Sequence, residues 1–256
     1  MSRLPAVALL LLAACDGGGD GLADAALHDS STHVDAPPGT TTTSCANPLP
    51  TTAADSLTIS GDLTDGTLNG NGNPTAGATI SAFHVTGGAL GTATTESTGI
   101  YQVAATTGGA TVDYLTATNA GYKESRYFPR APLAKSTSLG TLPLFTTADA
   151  ATIATTFGVT QDPTKGIALV TIQDCFGSLR SNGTVTVSPA TAGTVKYLHG
   201  DGSTTGTATD ATGTAVVFNI PAGSVTLGAT VGGTSYHEHA VTAAASYITL
   251  ATISEQ

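Results

Sequence analysis

The chain has 256 residues, 40% of them hydrophobic and only 10% charged, with 18 Asp and Glu against 8 Lys and Arg and a formal net charge of −10. That apolar content suffices for a core and argues against wholesale disorder, and the negative charge argues against nucleic acid as a partner. With 48 Thr, 31 Gly, 12 Pro, one Met and no Trp, the chain is β-branched and turn-rich, which argues against a helical bundle.

At the N-terminus, Arg3 precedes the apolar run Leu4–Ala14. The run is too short for a bilayer span, which needs about 20 residues, and reads as the hydrophobic region of a signal peptide. It ends Leu12-Ala13-Ala14-Cys15, which resembles the lipobox of bacterial lipoproteins. The resemblance implies a signal peptide over 1–14 and a mature chain beginning at a lipidated (palmitate-bearing) Cys15. That residue would anchor the chain to the outer or inner membrane on the exported side of a bacterial cell envelope. An ordinary signal peptide with an incidental cysteine is the competing reading. Residues 15–50, rich in Gly, Asp, Ser, Thr and Pro, cannot bury enough surface to offset chain entropy and read as a flexible tether. His28 and His33 fall in it and read as solvated side chains.

From Ser56 onward apolar and polar residues alternate between turn signals. Strands are expected near Leu57–Thr64, Ala78–Val85, Gly99–Ala105, Ala110–Thr118, Tyr122–Phe128 and Ser138–Phe145. Then the period changes. Ala150, Ile153, Ala154 and Phe157 share one helical face, with Thr146 or Thr147 as cap and Gly158 as stop, so residues 147–160 read as a linker helix. A second unit follows in the register of the first. Glu96-Ser97-Thr98-Gly99 matches Asp210-Ala211-Thr212-Gly213, Gly109 matches Gly223, and Tyr122 matches Tyr236, all at one offset. Such spacing indicates internal duplication.

The segments Leu57-Thr58-Ile59-Ser60-Gly61, Pro74-Thr75-Ala76-Gly77-Ala78-Thr79-Ile80, Glu96-Ser97-Thr98-Gly99-Ile100-Tyr101 and Ala120-Gly121-Tyr122 are similar to carboxypeptidase regulatory-like domains. The second unit matches through Asp210-Ala211-Thr212-Gly213 and Asn219-Ile220-Pro221-Ala222-Gly223, and its opening is similar to myxobacterial surface lipoproteins. The resemblance implies an all-β chain: two tandem transthyretin-like or Ig-like Greek-key β-sandwiches, over 51–146 and 161–256, joined by the short helix. These motifs are turns and strand starts, so the expected function is non-catalytic, with no cofactor. The two domains would act as binding or structural modules toward an envelope protein or glycan.

Four constellations could carry more. His237 and His239 are two apart, so a strand points both to one face, where a third ligand would complete a metal site; Glu238 points the other way, and His199 is a distant third candidate. The competing reading is an exposed edge-strand pair. Tyr127 with Arg126 and Arg130 could form a recognition patch for a sugar or an acidic partner, the alternative being a charge-protected edge strand. Cys45 and Cys175 are the thiols left after Cys15 and are candidates for a disulfide. Asp62, Asp65, Asn69, Asn71 and Asn73 crowd one region, but their spacing fits hairpin turns better than a calcium loop. Ser178 and Ser203 lack the context of an activated nucleophile, and His84 reads as a half-buried strand residue.

Overall fold

The computed structural model describes residues 48–66, 72–200 and 204–255. The first unit contains β1 (Ser56–Asp65), β2 (Thr79–Phe83), β3 (Ala89–Thr94), β4 (Ile100–Thr106), β5 (Tyr114–Thr118), β6 (Glu124–Phe128) and β7 (Thr137–Leu144). After the helix α1 (Thr147–Thr156) come β8 (Gly166–Gln173), β9 (Gly183–Ser188), β10 (Thr194–Leu198), β11 (Thr214–Ile220), β12 (Gly223–Val231), β13 (Thr234–Ser235), β14 (His239–Ala243) and β15 (Tyr247–Ser254). The chain is therefore all-β, with one helix among the described residues.

The two halves repeat one pairing scheme. Strand β1 lies antiparallel to β4 and parallel to β7, and β8 lies antiparallel to β11 and parallel to β15. In the facing sheets β5 sits between β2 and β6, as β12 sits between β9 and β14. The matched turns coincide as well. Gly99 and Gly213 both have positive φ, and their N–H groups donate to Glu96 and Asp210 carbonyls at 2.9 and 3.0 Å. One strand breaks the symmetry: β3 pairs with β2, whereas its counterpart β10 pairs with β11 in the opposite sheet.

The tandem arrangement implied by the sequence is tighter than a helix-linked pair. The C-terminal strand β15 pairs in parallel with β6 of the first unit, Tyr247 beside Glu124 through Ala251 beside Phe128. This produces one eight-stranded sheet in the order β10-β11-β8-β15-β6-β5-β2-β3. Strand β7, the counterpart of β15, carries Pro143 and a register shift at its β1 pairing. A missing N–H and a bulge both discourage a further strand.

Three cores follow from which face each half covers. Leu57, Ile59, Leu63, Tyr101, Val103 and Leu144 of the three-stranded sheet pack on Ile80, Leu115 and Tyr127. On the opposite face of the large sheet, Ala168, Val170, Ile172 and Val217 pack on Val185, Val225, Leu227 and Val241. Thus β8 and β11 are covered on both sides and read as nearly unbroken apolar runs. Their outer residues Ile167, Leu169, Val216 and Phe218 lie under the helix.

The helix forms where its pattern places it. Thr146 Oγ1 accepts from Asp149 N at 3.0 Å as the N-cap, Ala150, Ile153 and Ala154 are buried, and Gly158 takes φ +64° just past the end. It stops at Thr156, earlier than the 160 expected. Phe157 meets Phe218 with ring centroids 5.4 Å apart.

Candidate functional site

Where the two units meet, a cleft of about 180 Å³ opens between the start of β14 and the loops of the first unit. Its walls include Leu49, Val85, Phe128, Pro129, Pro132 and the run His237–Ala240. The sequence here switches from Tyr236, buried at 5% exposure, through a non-strand stretch into β14 at His239, opposite Leu227. His237 N donates to Ser254 O at 2.9 Å, which fixes the chain as it enters the cleft.

The two imidazoles meet edge to face with centroids 5.1 Å apart, but His237 precedes β14, so they do not sit on one strand face as the spacing predicts. The exposed-pair reading fails for His239, which is 9% exposed. Burial holds its pKa down at about 4, opposed by the hydrogen bond to the Arg130 carbonyl and reinforced by His237. A neutral ring donates through Nε2 to that carbonyl at 3.2 Å, so this nitrogen is committed to the backbone. Burial also lowers the pKa of His237, with Glu238 opposing. His199 is elsewhere, its Nε2 beside Ala208 O at 3.2 Å. No group of three His, Cys, Asp or Glu converges among the described residues. Nearby, His84 Nδ1 pairs with Asp113 Oδ2 at 2.7 Å, and the same carboxylate accepts from Val85 N at 2.7 Å and, through its other oxygen, from Thr111 Oγ1 at 2.9 Å.

The structure does not bring Arg126, Tyr127 and Arg130 together. Neighbouring strand residues face opposite sides of a sheet. Tyr127 is therefore 4% exposed inside the first core, where its hydroxyl donates to Pro143 O at 2.6 Å. Arg126 projects from the other face and clamps the junction of the units. Its guanidinium lies 3.7 Å from the Tyr247 ring centroid, Nε donates to Glu124 Oε1 at 2.9 Å, and Nη1 donates to Thr242 Oγ1 at 3.2 Å. Arg130 is exposed, with Nη1 donating to Cys175 O at 3.0 Å. Each arginine donates to groups within the fold.

Sequence reasoning missed the aromatic ladder on the face of the first unit that Arg126 shares. Phe83 stacks on Tyr114 at 5.0 Å and Tyr114 on Phe128 at 5.3 Å, across three adjacent strands. The signal was available, because each of these residues sits next to a core residue of its own strand: Ala82, Leu115 and Tyr127. Cys175 is disulfide-bonded; Cys15 and Cys45 lie outside the described residues, as do His28, His33, Asn69, Asn71 and Ser203. Asp62 and Asp65 belong to β1, and Asp65 N donates to Asn73 O at 2.7 Å. Ser178 N donates to Asp174 Oδ1 at 2.8 Å, the same oxygen that accepts from Phe176 N at 2.9 Å in an Asx turn. Among the described residues no helix is long and apolar enough to cross a membrane.

No family model and no curated protein sequence matches the chain. Solved structures similar to it include a 9R-lipoxygenase from Cyanothece PCC8801, with 10% identity over 35% of this chain and 16% of that one at a TM-score of 0.26. A cohesin–X-dockerin complex from Acetivibrio cellulolyticus has 20% identity over 35% and 56% at 0.25. The shaft pilin SpaA from Lactobacillus rhamnosus GG has 12% identity over 80% and 98% at 0.25. The chain spans 16% and 56% of the length of the first two. At such TM-scores these likenesses decide nothing, and the β-sandwich architecture rests on the chain's own strand pairing.

Proposed function

We propose that this chain is a non-catalytic lipoprotein of the bacterial cell envelope, anchored at Cys15 and carrying a fused pair of β-sandwich units as a spacer and binding module for an envelope protein or glycan. The observation that carries the spacer reading is the eight-stranded sheet that runs through both units. A pair joined by backbone hydrogen bonds resists bending at its junction, which a helix-linked pair would not. The polar residues with the most chemical promise support the non-catalytic reading through their bonds. His239 is tied to a backbone carbonyl, His84 to Asp113, and Arg126 to the junction itself. The lipobox-like Leu12-Ala13-Ala14-Cys15 after an apolar run supports the anchor.

Intact-mass measurement on protein from a bacterial membrane fraction tests this reading. The expected product starts at Cys15 with added acyl mass, and Cys15→Ala moves the chain to the soluble fraction. An unprocessed, water-soluble product carrying Met1–Ala14 would overturn it.

A further inference from the structure

We infer that the cleft between the units is the seat of the chain's own tether end, clasped there by a disulfide between Cys45 and Cys175. Cys175 is disulfide-bonded and is the single cysteine among the described residues, so its partner is Cys15 or Cys45. Leu49, four residues after Cys45, lines the cleft beside Val85, Pro132 and His239. Arg130 joins cleft and cysteine: its carbonyl accepts from His239 at 3.2 Å and its guanidinium donates to the Cys175 carbonyl at 3.0 Å.

Chain length selects the partner. With Leu49 held in the cleft, Cys45 closes a loop of 4 residues and Cys15 one of 34. The entropic cost of closure rises with loop length, which favours Cys45. Four extended residues span about 13 Å, enough to pass one arginine side chain. Making the bond removes two protons and two electrons from the two thiols. A disulfide-bonded oxidant on the exported side accepts them by thiol–disulfide exchange.

The clasp has a mechanical consequence, which rests on the anchored reading above, as does the exported-side oxidant. The tether leaves the body at the junction of the two units. A pull on the anchor is then borne by a covalent bond to the second unit and not by the end of β1. Leu49 forms one wall of the cleft, and Val85 beside it stays 68% exposed.

Peptide mapping of the full chain by mass spectrometry, with and without reductant, tests the pairing. The expected result is a Cys45–Cys175 linked peptide that reductant separates; a Cys15–Cys175 linkage, or free thiols in unreduced protein, would overturn it. Hydrogen exchange then tests the seat. In Cys45→Ser, the amides of Ala131, Leu133 and Ala240 should exchange at least tenfold faster while the far-ultraviolet circular dichroism stays that of a β protein. Unchanged exchange at those amides would overturn the seat, and the peptide map stands even if the variant folds poorly. A chain that is water-soluble yet carries the Cys45–Cys175 link would sink the membrane anchor and leave the clasp intact.

Discussion

Acid should weaken this fold through one buried ring. In the unfolded chain His239 takes a proton near the ordinary value of 6.5, whereas in the folded protein burial keeps it neutral down to about 4. Between those values the unfolded state binds more protons, so stability falls as pH falls through that window and is unaffected by this residue above it. Linkage over the two values gives a loss of about 2 kcal/mol at pH ~5 and about 3 kcal/mol at full protonation. His237, 5.1 Å away, is shifted in the same direction and adds to the effect. Urea unfolding at about pH 7.5 and about pH 5 should be compared between the wild type and His239→Gln, whose amide can still donate to the Arg130 carbonyl. His237 is common to both proteins, so the wild type should lose about 2 kcal/mol more than the variant. Equal losses in the two would refute the assignment of a buried neutral imidazole.

Other perturbations separate the structural roles assigned above. Arg126→Ala removes the contact with Tyr247 and the bonds to Glu124 and Thr242, and chemical denaturation should show a loss of about 1–3 kcal/mol. Tyr127→Phe deletes only the hydroxyl bond to Pro143 and should cost about 1 kcal/mol in the same assay, with no change in glycan-array binding. Ile153→Ala empties the helix side of the third core and should cost about 2–5 kcal/mol. Gly99→Ala must take φ +79° with its Cβ against the Leu63 carbonyl, so a thermal melt should show a larger drop than for a substitution at open, exposed Gly88.

The linker helix was legible because its four apolar residues keep a helical spacing and its cap and stop are local. The duplication was legible because the Gly99 and Gly213 turns need the same backbone at the same place in each unit. Strand β3 escaped, since Ala89-Leu90-Gly91-Thr92-Ala93-Thr94 has small side chains and no clear alternation. The fusion of the units escaped for a different reason. Pairing of β15 with β6 joins residues more than 120 positions apart, and backbone bonding leaves little trace in side-chain identity. The proposed Tyr127 patch failed by ignoring the two-residue period that separates it from Arg126. In the cleft, the strand spacing of His237 and His239 did not apply, because His237 precedes β14, and the burial of His239 depended on loops of the other unit that no local pattern reports.

Amide exchange across the junction of the two units is the most direct test of the account. If the units are one body, the amides of Glu124–Phe128 and Tyr247–Ala251 are protected to the same level as those of β8, and they lose protection together with it as denaturant is added. Fast exchange along β6 at the rate of an open edge strand, with β8 still protected, would show two separate sandwiches and contradict it.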